Sequence, residues 1–348
     1  LGNCVRDLGS KPWIQLFVWP VCNLSCPNCS NRLSHPETRS WALEGRRDLL
    51  SDPGLLDLIE TAPPTHFYIS GGEPLIHPRL KDFVVRLGRG GHTVSLDTNI
   101  SLPMGSLREL FSAWSPEWFG FVNVSHHLVC DVGLDFIEQR CRLLADFGVP
   151  YFVKYVGVPE LLPQIRDYML RLRDQQVGAA VSILAGPWKG RWFPSGYTPQ
   201  ETRMLLDMVT LNTHGLQVFD GVHSRGIPCR GGQDFIAWNM NGKQEVIPCC
   251  HGSANPTSLG ETFFGTARRD PIACSAESCL GDMMFIFGIN GIADESARLD
   301  ALCAGTWEFL GVESVLEFVQ GIVGSGFRLV NPEKFAEVER DVAAGCTS

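Results

Sequence analysis

Over roughly its first 200 residues this chain alternates short, β-rich apolar runs with segments of helical apolar spacing, a rhythm that narrows the fold more than any other feature. The runs are Trp13–Trp19, Thr65–Ile69, Thr93–Leu96, Phe119–Val124, Tyr151–Val156 and Ala180–Leu184. Between them lie Arg47–Glu60, Arg79–Gly88, Ser106–Ala113, Leu134–Phe147 and Leu161–Gln175, and Pro199–Thr213 follows the last run. Near-continuous apolar strands are buried on both faces, which requires a parallel sheet covered by helices. The fold class is therefore α/β. Six such units fit a partial (β/α)6 TIM-like barrel or a doubly wound sheet, and in either a ligand gathers at the carboxyl ends of the strands.

Those strand ends carry unusual residues. The first run leads into Trp19-Pro-Val-Cys-Asn-Leu-Ser-Cys-Pro-Asn-Cys29, which spaces Cys22, Cys26 and Cys29 as C-x3-C-x2-C. Three thiolates on one loop converge on one soft metal centre. On a four-iron cube they leave one iron open to something that is not protein. Zinc is the alternative, although its knuckles usually draw two ligands from each of two turns. The second run ends in Ser70-Gly-Gly-Glu-Pro74, where two glycines let the backbone turn sharply and approach a ligand. Glu73 there offers a carboxylate to an ammonium group. Leu96-Asp-Thr-Asn99 closes the third run and Val124-Ser-His-His127 the fourth.

In these paired motifs on successive strands, over about residues 13–185, the chain resembles the radical S-adenosylmethionine (radical SAM) enzymes. The resemblance implies that Cys22, Cys26 and Cys29 hold a 4Fe–4S cluster whose fourth iron chelates the amino and carboxylate groups of S-adenosylmethionine. It assigns the methionine ammonium to Gly71, Gly72, Glu73 and Pro74, and adds Asn99 and Ser125 near the cofactor, with His127 a weaker candidate. Asn28 stands where the family usually has an aromatic or apolar residue, so its backbone reaches the adenine without a stacking ring. The implied reaction is reductive cleavage of the cofactor to methionine and a 5′-deoxyadenosyl radical, which takes hydrogen from an unactivated C–H bond.

From about residue 214 the rhythm changes, and Gly and Cys punctuate hairpin signals such as Asn241-Gly242 between Phe235–Trp238 and 245–247. Cys229, Cys249, Cys250, Cys274 and Cys279 fall here, in a small α+β cysteine-rich module. Four thiolates complete a closed cluster, or a structural zinc site. By resemblance to SPASM and twitch modules, Cys229, Cys249, Cys274 and Cys279 are the expected ligands of an auxiliary 4Fe–4S cluster. Neighbours in an extended segment face opposite ways, so only one of Cys249 and Cys250 meets the metal, and the sequence does not decide which; Cys249 is preferred because Pro248-Cys249 fits the module, leaving Cys250 as buried filler or a hydrogen-atom donor. Cys4, Cys130, Cys141, Cys303 and Cys346 belong to no visible constellation and are expected to be structural. The expected organisation is a core at 1–213, the cysteine module at 214–300, and a helical segment at 301–348 with helices over Val312–Val323 and Pro332–Ala343.

A formal net charge of −9 excludes a general nucleic-acid or anionic-membrane binder, and no apolar run reaches bilayer length. Thirteen cysteines, an odd and clustered set, fit metal ligation in a reducing compartment, so the cytoplasm is the expected location. Expected partners are a peptide or small-molecule substrate, such as a sugar, and an electron donor such as flavodoxin or ferredoxin. The first run begins at Trp13, which leaves little room for a leader-peptide-binding domain and favours a small molecule. The outcomes in view are oxidation, crosslinking or epimerisation. The competing class is a non-catalytic zinc or iron–sulfur scaffold.

Overall fold

The computed structural model describes residues 11–29, 49–229, 235–238, 246–247, 272–274, 276–279 and 308–344. Every expected apolar run forms a strand: β1 (Trp13–Phe17), β2 (His66–Ser70), β3 (Thr93–Thr98), β4 (Phe119–Ser125), β5 (Tyr151–Gly157) and β6 (Ala179–Ile183). The helices between them are α1 (Pro53–Thr61), α2 (Leu80–Arg89), α3 (Met104–Ser112), α4 (Leu134–Asp146) and α5 (Leu162–Asp174). Local chemistry sets their starts. Asp52 caps α1 by accepting from the Gly54 and Leu55 amides, with Pro53 in the first turn where its missing N–H costs nothing.

The strands stand in the order β1-β2-β3-β4-β5-β6, each parallel to the next. Parallel crossovers are right-handed, so a sheet whose order never reverses keeps its connecting helices on one face and curls the other inward. That is a partial barrel. A doubly wound sheet needs a reversal of order that is absent within β1–β6. β1 and β6 are not neighbours, and the barrel stays open.

Beyond β6 the chain forms a hairpin the sequence did not announce, β7 (Gly186–Trp188) and β8 (Arg191–Phe193). Its two-residue turn has positive φ at both Lys189 and Gly190, the geometry that matches strand twist. The expected helix at Pro199–Thr213 is instead α6 (Pro199–Met208) followed by α7 (Asn212–Val218). A capping box between Thr198 and Glu201 starts α6, and extended backbone at Val209 and Leu211 separates the two.

Short strands follow: β9 (Val222–His223), β10 (Pro228–Cys229), β11 (Phe235–Trp238), β12 (Val246–Ile247), β13 (Ile272–Ala273) and β14 (Ser278–Cys279). The expected hairpin of 235–238 with 245–247 forms, with Ala237 opposite Ile247. Its first strand does more than belong to the cysteine module. β11 pairs in parallel with β1 and extends the main sheet, because Phe235, Ile236, Ala237 and Trp238 are all buried and need cover on both faces. Near the end, α8 (Gly311–Gly324) and α9 (Pro332–Ala343) pack against α6. Lys334 ties α9 down by donating from its buried ammonium to the Pro194 and Val218 carbonyls, at 3.0 and 3.1 Å.

If β11 is integral to the barrel, Phe235→Ala destabilises the whole barrel by about 3–5 kcal/mol. Urea unfolding followed by far-ultraviolet circular dichroism reads this. An unchanged main transition contradicts the assignment.

Candidate active site

At the carboxyl ends of the strands lies a cavity of about 270 Å³. The loop after β1 lines it with Cys22, Cys26, Asn28 and Cys29, and the turn after β2 with Gly71 and Gly72. β3 adds Asp97, Thr98 and Asn99, and β4 with its loop adds Ser125, His126 and His127. Lys154 and Val156 come from β5, and Ser182 to Ala185 from β6.

The cysteine loop and the Gly-Gly-Glu turn are locked through their backbones. The Gly72 amide donates to the Trp19 carbonyl at 2.8 Å and the Glu73 amide to the Val21 carbonyl at 2.9 Å. The Trp19 indole donates to the Glu73 carbonyl at 3.3 Å. A Cβ on Gly71 would lie 2.6 Å from the Trp19 oxygen, and one on Gly72 2.2 Å from the Val21 oxygen. These glycines therefore admit the cysteine loop as well as exposing backbone to the cavity.

Glu73 points the other way. Its carboxylate is 1% exposed and accepts from the Leu75 amide at 2.9 Å, the Thr98 hydroxyl at 2.5 Å and the Asn99 amide at 2.6 Å. Burial pushes its pKa up to about 7, although the three donors favour the ionised form. Neither Glu73 nor Pro74, which begins a short 3-10 turn over Pro74–Ile76, lines the cavity. The sequence expected a carboxylate open to an ammonium group; the structure uses it to tie the ends of β2 and β3 together. Asn99 completes the bracing. Its side chain donates to Asn23 Oδ1 at 3.2 Å and to Cys22 Sγ at 3.7 Å, and Asn23 donates to the Ser101 hydroxyl at 2.7 Å.

The three thiols share one cavity wall. Among the described residues, no three or more Cys, His, Asp or Glu side chains stand close enough together to hold a metal ion, the three cysteines included. Cys26 instead accepts a contact from Cys130, sulfur to sulfur at 3.2 Å. Burial, and then this hydrogen bond, push the Cys26 thiol far above its ordinary range. A bound cation is what draws such a thiol to the thiolate. Cys130, expected to be merely structural, thus stands beside the cysteine loop.

Beside the thiols, the Ser125 hydroxyl donates to Asp97 at 2.9 Å. His126 donates from Nε2 to the Val132 carbonyl at 2.6 Å and meets the Tyr155 hydroxyl through Nδ1 at 3.3 Å. Burial lowers its pKa to about 4, so it is neutral near pH 7. Burial also lowers that of His127, against the pull of Asp97. Sequence reasoning missed Asp97, Lys154 and Ser182. The signal was present: a lysine inside Tyr-Phe-Val-Lys-Tyr-Val-Gly is out of place in an apolar strand unless it faces a site.

In the C-terminal region Cys229 ends β10, which pairs with β13, and Cys274 directly follows β13. The Cys274 thiol lies 3.5 Å from the Ser224 hydroxyl, and buried Cys279 ends β14 against β9. Cys249 and Cys250 lie outside the described residues.

No known family profile matches the chain. It is similar to the 7-carboxy-7-deazaguanine synthase of Rhodopirellula baltica, at 31% identity over 91 residues, 26% of this chain. The chain spans about a third (33%) of the length of that curated relative. Among solved structures, anSMEcpe with bound AdoMet (S-adenosylmethionine) and Cp18Cys peptide superimposes with a TM-score of 0.51 at 14% identity, covering 97% of this chain and 100% of that one. SuiB of Streptococcus suis with S-adenosylmethionine gives 0.47 at 13% identity, over 72% and 63% of the two chains. The likeness to anSMEcpe is one of fold, an open α/β partial barrel.

Two substitutions test this bracing. Gly72→Ala costs about 1–3 kcal/mol in urea unfolding and lowers iron uptake several-fold, because the Val21 carbonyl has no room to yield. Gly105→Ala, whose Cβ meets nothing within 4 Å, serves as the control and is neutral or stabilising. A carboxyl raised in the folded state contributes fully below its unfolded pKa, and the contribution is lost as pH rises through about 7. From pH 4.5 to 8 the parent therefore loses about 3 kcal/mol relative to Glu73→Gln. A pH-independent difference contradicts the raised value.

Proposed function

We propose that this chain is a radical SAM enzyme that holds a 4Fe–4S cluster through Cys22, Cys26 and Cys29 and takes hydrogen from a C–H bond of a peptide substrate. The observation that carries this reading is the convergence of three thiols, the Gly71–Gly72 backbone, Asn99 and Ser125, from four consecutive strand ends, on one cavity. The residues present fit the cofactors. Three thiols are a soft donor set suited to iron. The buried Oδ1 of Asn28 has no hydrogen-bond partner in the described structure, which suits a ligand N–H. Lys154 is the one lysine or arginine among the described residues of the cavity wall, a cation for a ligand carboxylate. When bound, the reduced cluster and S-adenosylmethionine supply a carbon radical able to take hydrogen from an unactivated position.

The chain's own groups hold and orient. The locked backbones of loop and turn fix the thiols, and the Ser125–Asp97 pair offers a hydroxyl and a carboxylate to ligand hydroxyls. Neutral His126, engaged by Val132 and Tyr155, forms fixed wall. In the same reading, Cys229, Cys274 and Cys279 with Cys249 hold an auxiliary cluster, Cys250 is a candidate hydrogen-atom donor, and a flavodoxin or ferredoxin supplies the electron. A peptide is favoured over a sugar because the solved structure at TM-score 0.51 carries a peptide beside AdoMet. Oxidation, crosslinking and epimerisation all begin with the same hydrogen removal.

Anaerobic reconstitution with iron and sulfide, then dithionite and S-adenosylmethionine, tests the reading. Equal amounts of methionine and 5′-deoxyadenosine are expected, and Cys26→Ala abolishes both. Stoichiometric zinc with no nucleoside at any iron loading favours the non-catalytic scaffold and overturns the proposal.

A further inference from the structure

We propose that Cys26 and Cys130 form a reversible thiol–disulfide site, one that reacts with small-molecule disulfides and, once closed, keeps iron out of the cysteine loop. The second half of this statement rests on the radical SAM reading. The two sulfurs stand 3.2 Å apart although the residues are 104 positions apart in the chain. Cys26 lies in the loop after β1, and Cys130 ends a short 3-10 turn, Leu128–Cys130, after β4. A disulfide bond is about 2.05 Å long, so closure asks the sulfurs to approach by roughly 1.2 Å. Cys130 also closes its own turn, its amide donating to the His127 carbonyl at 2.9 Å. The contact is thus one between two strand-end loops of the same cavity.

Exposure sets the order of events. Cys26 is 6% exposed, too enclosed for a bulky disulfide to reach, whereas Cys130 is only half-buried. Cys130 therefore exchanges first. Its sulfur attacks a small-molecule disulfide, the old S–S bond breaks, and one small thiol leaves with the proton. Cys26 then attacks the mixed disulfide at the Cys130 sulfur and releases the second small thiol. In total the two cysteines give up two electrons and two protons, and the small disulfide is reduced to two thiols. No other oxidant is needed.

The consequence follows from position. Cys26 is the middle residue of C-x3-C-x2-C, and with its sulfur committed only Cys22 and Cys29 remain of the three thiols. Two thiolates do not replace three on an iron–sulfur cube. The crosslink also spans a long stretch of chain, which restrains the unfolded state and holds the metal-free loop against the barrel. A reductant reopens it.

The test uses the full metal-free chain, incubated anaerobically with glutathione disulfide, alkylated with iodoacetamide and digested without reduction. The expected product is a peptide joining Cys26 to Cys130, two hydrogens lighter than its parts and absent from Cys130→Ser. Iron and sulfide loading of the oxidised parent falls to about half that of the reduced parent, the auxiliary cluster still loading, and recovers with dithiothreitol. Cys130→Ser, with parent-like circular dichroism, takes up iron undiminished after the same oxidation. Separate glutathione adducts on the two cysteines, or both remaining alkylatable, overturn the proposal. So does a crosslinked protein that loads as much iron as the reduced one. A reduced parent that takes up no iron overturns the proposed function instead, and the crosslinked peptide then supports the thiol–disulfide site alone.

Discussion

The backbone lock between the cysteine loop and the turn after β2 is what the rest of the site depends on. Its hydrogen bonds, from Gly72 to Trp19 and from Glu73 to Val21, fix where the loop leaves the sheet. The loop's described part, residues 18–29, has no regular secondary structure, so its shape there is borrowed from its neighbours. The glycines make the approach possible, because any side chain there would meet carbonyl oxygens of the loop. Behind the lock, Glu73 gathers the Leu75, Thr98 and Asn99 donors and so joins β2 to β3. Asn99 then reaches back to Asn23 and Cys22, closing the circuit. A buried acid thus serves the site without entering it.

The remaining cavity wall divides by strand. The first two strand ends supply sulfur and bare backbone, and the third and fourth supply oxygen and imidazole. β5 contributes a lysine in an otherwise apolar strand. The division follows from an order without reversal: each unit adds one strand end to the same rim, so chemistry accumulates in sequence order around the opening. β11 widens the same sheet on the far side of β1, beside the strand that carries the cysteine loop.

Much of this was legible in the sequence, for physical reasons that also mark where legibility stops. Strands buried on both faces announce themselves as apolar runs, and β1 to β6 did so with small shifts at their ends. Phe235–Trp238 gave the same signal, but without a following helix it read as part of a local hairpin, since periodicity does not say which edge a strand will join. The two glycines signal a sharp turn with room for a ligand, while the approach the structure shows, that of the Trp19 and Val21 carbonyls, is a tertiary fact. The sequence offers the Glu73 carboxylate to an ammonium group, and nothing local to Gly-Gly-Glu-Pro signals that Thr98 and Asn99 arrive from another strand to donate to it. Cys130 could not be linked to Cys26, because their proximity exists only once β1 and β4 lie on one rim.

The central claim is that the three cysteines hold an iron–sulfur cluster to which S-adenosylmethionine binds directly. Electron paramagnetic resonance of the reconstituted, dithionite-reduced protein tests it without requiring a substrate. The expected result is a reduced 4Fe–4S signal with one component whose g-values shift when S-adenosylmethionine is added, that component alone being lost in Cys26→Ala while the auxiliary-cluster signal stays. No component that responds to S-adenosylmethionine, or a responsive component that survives loss of Cys26, contradicts it.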